Sequence, residues 1–201
     1  MGRSVDRALK VLCVAGSPRR QGNSARLLSA CIEGIREVGA TPDLLDLAAT
    51  PIPGCTGCNG CSATGMCAQG DPMTPVYERI DSASALVIAS PVYFASVPSS
   101  LKAFLDRFQP YWVRRYLLHQ QLPGPRRPAA LLLVGGGGDP FGTRCAVTPV
   151  QSALAVAGFE VGEPFEVLGP DARGDIEALT DSLDAAREVG RGLIRGLTER
   201  A

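Results

Sequence analysis

Four cysteines dominate the chemistry this sequence could do. Cys55, Cys58, Cys61 and Cys67 follow one another as C-x2-C-x2-C-x5-C. Three thiols at steps of three, with Gly57 and Gly60 between them, can wrap a compact loop around a cuboidal cluster, and the fourth can close it. Bacterial ferredoxins ligate [4Fe–4S] clusters with a related spacing. Zinc more often takes two separated cysteine pairs, a redox disulfide needs only two thiols, and a loop of free thiols without metal is the plain alternative. The spacing favours a cluster, with these four residues as metal ligands. The other three cysteines read differently: Cys13 falls in a strand and Cys31 on a helix, both expected to be buried and inert, and Cys145 follows a glycine run. An odd total of seven argues against a disulfide framework.

Three further stretches carry groups suited to a ligand. Gly16-Ser17-Pro18-Arg19-Arg20-Gln21-Gly22-Asn23-Ser24 joins an apolar run to a helical one. A helix N-terminus offers unpaired N–H groups and a positive dipole end, which suit a phosphate. Ser17, Asn23 and Ser24 add neutral donors, and Arg19 or Arg20 adds charge. The loop has neither the three spaced glycines of a dinucleotide fold nor the Gly-Lys-Ser/Thr ending of a P-loop. Ser90-Pro91-Val92-Tyr93-Phe94 sets aromatics and backbone N–H groups at a strand end, where a flat heteroaromatic ring could rest. Gly135-Gly136-Gly137-Gly138 lets backbone approach a ligand closely. The plain readings are an N-capped turn, a proline-ended strand and a flexible turn. His119 is the single histidine and reads as solvated.

These stretches need a frame, and the hydrophobic pattern supplies one. Short apolar runs at 8–15, 41–47, 85–90 and 129–134, and an extended stretch at 159–168, read as strands. Helical periodicity marks 23–38, 75–82, 99–108, 148–157 and 175–198. Residues 110–128 read as a connection rich in Pro, Arg and aromatics. Residues 50–74 have no periodicity and form a Cys-rich insertion after the second strand. Strands that alternate with helices and are apolar throughout imply a doubly wound parallel sheet of five strands. Ligands on such sheets bind at the carboxyl ends of the strands, where strand order reverses. The loops after the first, third and fourth strands converge on that edge.

Composition narrows the class. The chain has 201 residues, 20 Lys+Arg against 20 Asp+Glu and a formal net charge of zero. That fits one domain over 1–201 and disfavours nonspecific nucleic-acid or membrane-surface binding. No apolar run approaches the roughly 18 residues of a membrane span. The polar start and lack of a cleavable leader pattern predict a cytoplasmic protein.

The loop at 16–24, the run SPVYF at 90–94 and VPSSLKAFLDR at 97–107 together resemble the NADPH-dependent FMN reductase branch of the flavodoxin-like superfamily. DARGDI at 171–176 resembles it more weakly. The cysteine loop resembles that of the iron–sulfur flavoprotein subgroup, in which an insertion holds a [4Fe–4S] cluster. The resemblance implies a flavodoxin-like fold and bound FMN, with Ser17, Arg19, Gln21, Asn23 and Ser24 around the phosphate. It sets Pro91, Val92, Tyr93 and Phe94 along the isoalloxazine, with Gly135, Gly136 and Gly137 as the third loop. There DPFGT at 139–143 departs from the Gln-Glu-Thr common in the family. The resemblance further implies NAD(P)H as co-substrate, a small-molecule or electron-carrier acceptor, and a homodimer or homotetramer. An FMN-dependent oxidoreductase is the expected function. The alternative is a non-enzymatic FMN/[4Fe–4S] electron carrier reduced by ferredoxin.

Overall fold

Leu12 and Val14 point to one side of the first strand, Val11 and Cys13 to the other, and all four are buried. Side chains alternate across a strand, so a strand with both faces buried must be covered by helices on both sides. The computed structural model, which describes residues 9–121 and 124–199, has that arrangement. Its strands are β1 (Lys10–Ala15), β2 (Thr41–Asp46), β3 (Ala85–Pro91), β4 (Arg127–Gly135), β5 (Phe159–Val161) and β6 (Phe165–Leu168). Its helices are α1 (Asn23–Glu37), α2 (Thr74–Ser82), α3 (Ser99–Asp106), α4 (Gln109–Trp112), α5 (Arg144–Val156) and α6 (Thr180–Thr198).

The strands run parallel in the order β2-β1-β3-β4-β5, and β6 also pairs with β4. Order reverses between β1 and β3, the expected position for a ligand crevice. On one face Leu12, Val14, Leu86, Ile88, Leu131 and Leu133 pack with α2, α3 and α5. On the other Val11, Cys13, Val87, Leu132 and Val134 pack with α1 and α6. Helices α1 and α6 approach very closely. A Cβ at Gly34 would sit 2.0 Å from the Arg187 carbonyl oxygen, and one at Gly190 2.2 Å from that of Cys31. Ion pairs from Arg187 to Glu33 and from Arg191 to Glu37 flank the crossing. No helix among the described residues is long and apolar enough to cross a membrane.

Several boundaries differ from expectation. The fifth strand position is split: β5 and β6 pair with different parts of β4, separated by Gly162 and Pro164. The sheet therefore has six strands in five positions. The segment 110–128 is not a bare connection, because α4 runs into a π-helical turn at Val113–Leu117. Pro110 near the start of α4 and the buried ring of Tyr111 against Phe108 support that turn. Helix α5 begins at Arg144, four residues early, with Pro149 inside it. Proline leaves the carbonyl four residues back without its helical donor, and the Ser96 hydroxyl donates to that Cys145 oxygen at 3.5 Å. The closing helix starts as a separate 3-10 turn at Asp175–Ala178. The expected strand start at Ala8 lies outside the described residues. The cysteine-rich segment contains no helix or strand between β2 and α2, and Ile52 and Met73 bury its two ends.

Candidate functional site

The loop after β1 turns where there is no room for a side chain. A Cβ at Gly16 would meet Leu101 Cδ2 at 2.8 Å, and the Gly16 N–H donates to Ala89 O at 2.8 Å. Ser17 is buried, and its hydroxyl accepts the Arg19 N–H at 3.0 Å. Gly22 caps α1 and brings no side-chain acceptor. The N–H groups of Asn23 and Ser24 therefore find no partner among the described residues. Such orphan donors at a helix start are an anion site in waiting. Ser17, Arg19, Gly22, Asn23 and Ser24 line one cleft together with Pro91, Val92, Tyr93, Gly135 and Gly136.

A second cleft of about 300 Å³ continues from the first, sharing Val92, Gly135, Gly136 and Asp171 and adding Phe94 and Gly137. Pockets for small ligands begin at about this size. Its rim is a tight turn in which the Tyr93 N–H donates to Ser96 O at 2.8 Å and the Ser96 N–H to Tyr93 O at 3.0 Å. Phe94 and Ala95 at its tip both have positive φ, 49° and 58°. Two adjacent non-glycine residues in that region carry strain of the kind concentrated at ligand sites. Of the N–H groups expected to be free along 90–94, that of Val92 is occupied by Val134 O at 2.8 Å and that of Tyr93 by the turn. Those of Phe94 and Ala95 are the unpartnered ones among the described residues, and the Phe94 ring is fully exposed. On the facing side a Cβ at Gly136 would meet Asp171 Oδ1 at 3.2 Å, and Gly137 has φ of 82°.

Not every expected residue faces the cleft freely. The Asn23 amide donates to Ala172 O at 2.9 Å and accepts the Gly174 N–H at 2.9 Å. Gln21 does not line the cleft; its amide oxygen accepts from Arg173 at 2.5 Å. Arg20 pairs with Asp46 at 3.5 Å, outside the cleft. Two charged residues escaped the sequence reading: Asp171 and Arg173, in the loop before the 3-10 turn, both line the first cleft. The signal was present in DARGDI, whose charges fall between the last strand and the last helix.

The four cysteines of the insertion meet elsewhere. Cys55, Cys58, Cys61 and Cys67 line a separate cavity of about 340 Å³ against Arg107, Gln109 and Pro110. Gly60 lets the loop close, since a Cβ there would sit 2.7 Å from that of Ala68. Gly57 has φ of 67°. No three acidic, histidine or cysteine side chains among the described residues are close enough to share one metal ion. Four thiols lining one cavity are the donor set that a [4Fe–4S] cluster would require.

Burial raises the Cys61 thiol above its ordinary pKa, and the other three sulfurs raise it further. Burial would also raise Cys67, but hydrogen bonds from the Gln69 N–H, Arg107 and Tyr77 outweigh it and hold that thiol below the usual range. Arg107 also escaped the sequence reading, although it ends the run at 97–107. Cys13 and Cys31 are buried and pushed up to about 12, chiefly by burial, as their inert reading requires. Cys145 is exposed.

Residues 9–161 match the sequence model of the family described as NADPH-dependent FMN reductase. The chain belongs to that family. Among curated proteins it is 34% identical over 103 residues to an iron–sulfur flavoprotein of Archaeoglobus fulgidus, covering 51% of this chain and 47% of that one. It is 33% identical over 102 residues to an iron–sulfur flavoprotein of Methanocaldococcus jannaschii, covering 51% and 53%. The chain thus spans about half the length of the curated relatives it matches. The fold is also that of an NAD(P)H:quinone oxidoreductase from Methanothermobacter marburgensis, with a TM-score of 0.68 at 22% identity over 92% of this chain and 97% of that one. A flavodoxin from the domain Archaea gives a TM-score of 0.59 at 12% identity over 94% and 99%. An FMN reductase-family chain on a flavodoxin-like fold gives the two clefts their context.

Proposed function

We propose that the protein is an FMN-dependent oxidoreductase that takes electrons from NAD(P)H and passes them to a second acceptor, with a [4Fe–4S] cluster in the cysteine pocket. The observation that carries this reading is the convergence of three loops on the switch point of the sheet, with unpartnered donors at both ends of one continuous cleft. Ser17, Ser24 and the N–H groups of Asn23 and Ser24 would hold the phosphate, with Arg19 and Arg173 supplying charge. The N–H groups of Phe94 and Ala95 would meet the polar edge of the ring, and the glycines at 135–137 would allow close approach. Gln21 and Asn23 act through the loop at 171–174, which they pin across the phosphate end. Bound FMN would supply exchange between two-electron and one-electron chemistry, and a cluster held by Cys55, Cys58, Cys61 and Cys67 a one-electron port.

Exposed aromatic surface at Trp112 and Tyr116, together with Phe94 and Phe141, supports assembly into a homo-oligomer. The open cleft would admit either a quinone or a protein carrier as acceptor. The test is anaerobic purification followed by an absorbance spectrum, iron and sulfide assays, and NAD(P)H oxidation with quinone and ferricyanide acceptors. We expect flavin bands, about four iron and four sulfide per chain, and NAD(P)H oxidation. Reduction by ferredoxin but not by NAD(P)H would replace the enzyme reading with that of an electron carrier. Flavin without iron after reconstitution would remove the cluster.

A further inference from the structure

Arg107 is the largest fully buried side chain among the described residues, with 1% of its surface exposed. A guanidinium this deep needs partners on every side, and it has them. Nη1 donates to Asp71 Oδ2 at 2.6 Å and to Pro53 O at 2.9 Å. Nη2 donates to Asp71 Oδ1 at 3.2 Å and to Cys67 Sγ at 3.3 Å. The side chain reaches from the end of α3 to both ends of the insertion. Its fork is locked on a carboxylate, and its remaining edge is turned to a sulfur of the cysteine pocket.

We propose that Arg107, fixed by Asp71, is a built-in counter-charge of the cysteine pocket that raises the reduction potential of the group held there. The inference rests on the cluster reading above and goes beyond it to a residue that ligates nothing. Four thiolates make the pocket strongly negative, and each added electron makes it more so. Arg107 is the one cation among the residues lining that cavity. The other charged lining residue, Asp106, is tied to Lys102 at 2.6 Å on the solvent side. A fixed cation in contact with a ligand sulfur, shielded from water, stabilises the more reduced and more negative state. Hydrogen bonds to cluster sulfurs act in the same direction.

A purely structural clasp would also explain the contacts, and the two roles separate by sign. Arg107→Gln removes a positive charge and Asp71→Asn a negative one, while each breaks the same clasp. A counter-charge role shifts the potential down in the first and up in the second. A clasp role moves both the same way. Arg107→Lys keeps the charge without the bidentate fork and should return the potential towards wild type. The experiment is an anaerobic redox titration of intact protein with mediators and a one-electron reductant, read by absorbance and by electron paramagnetic resonance of the reduced cluster.

At a fixed solution potential we expect the reduced-to-oxidised ratio to fall on the order of tenfold in Arg107→Gln, about 59 mV for one electron. Asp71→Asn should raise it by several-fold. Shifts of the same sign in both variants, or changes under twofold in both, would overturn the proposal. If Arg107→Gln fails to fold, Arg107→Lys beside Asp71→Asn decides it: a retained charge gives a ratio near wild type in the first and a several-fold rise in the second, and shifts of the same sign and size in both overturn the proposal. Wild-type protein without iron and sulfide after reconstitution would overturn the cluster reading, and this inference with it; a wild-type cluster of unchanged potential in the variants overturns this inference alone.

Discussion

Adding one methyl group where α1 crosses α6 should cost about as much as removing several from the core. At Gly34 the new Cβ would lie 2.0 Å from the Arg187 carbonyl oxygen and 2.8 Å from its carbon. At Gly190 it would lie 2.2 Å from the Cys31 oxygen and 3.1 Å from the Ile35 nitrogen. Every atom met is backbone, so no rotamer change relieves the contact and the helices must part by roughly 1 Å. A gap of that size forfeits a quarter to a half of the dispersion well along the interface. Overpacking costs typically about 1–3 kcal/mol, and a backbone clash belongs at the upper end.

At roughly 2–4 °C per kcal/mol for a chain of this length, Gly34→Ala and Gly190→Ala should each melt about 6–12 °C below wild type. Gly192 supplies the internal control. It sits on the same helix two residues away, exposed, and a methyl group added there would meet nothing within 4 Å. Gly192→Ala should raise stability by about 0.5–1 kcal/mol through helix propensity alone. The assay is thermal and urea unfolding followed by far-UV circular dichroism. Gly34→Ala melting within about 2 °C of wild type, or level with Gly192→Ala, would refute the reasoning.

Three other outcomes follow from the sites. Arg19→Gln and Ser24→Ala should each weaken FMN binding by about tenfold, or 1.4 kcal/mol, while leaving riboflavin binding unchanged; titration calorimetry with both ligands checks this, and equal losses for the two would place these residues away from the phosphate. Asp71 has its carboxyl pKa lowered in the folded state: burial opposes ionisation, but Arg107 and the Met73 N–H outweigh it. Its contribution is therefore complete above the unfolded carboxylate pKa of about 3.9 and is lost as pH falls through the lower folded value. Stability against pH should drop below about pH 4 in wild type and less steeply in Asp71→Asn. Phe94→Gly removes a fully exposed ring from a positive-φ position, so it should raise the unfolding free energy by about 1 kcal/mol; urea midpoints test it, and a loss of stability would mean that the turn is unstrained.

The sheet was legible because its strands are buried on both faces, which writes uninterrupted runs such as VLCVA and ALVIAS into the sequence. The loops at 16–24 and 90–94 were legible because glycine, proline and hydroxyl residues cluster where strands end. The split of the last strand was not, since Gly162 and Pro164 in an extended run mark a break without saying which neighbour each half pairs with. Nor was the start of α5, where Pro149 reads as a helix beginning yet lies inside one. Arg107 was invisible as a pocket residue for a different reason. In the sequence it ends an amphipathic helix, where arginine is ordinarily solvated, and only the return of the insertion across it takes it out of water. Asn23 was read as a ligand donor from its side chain at a helix start, and Gln21 from the family resemblance; their engagement with Ala172 and Arg173 depends on a segment about 150 residues later.

That separation has a consequence for how the protein comes into being. Asn23 is bonded to Ala172 and Gly174, and Gln21 to Arg173, across gaps of 149, 151 and 152 residues. Contacts so distant along the chain close slowly, because the loop between them must be ordered first. Strands β1 to β4 and α1 can assemble while the last quarter of the chain, with β5 and β6, is still being synthesised, but the first cleft has no outer wall until residues 171–174 dock. A nascent chain should therefore acquire tight FMN retention abruptly and late, after its sheet has formed, and FMN should act on the final docking of α6 more than on the early collapse.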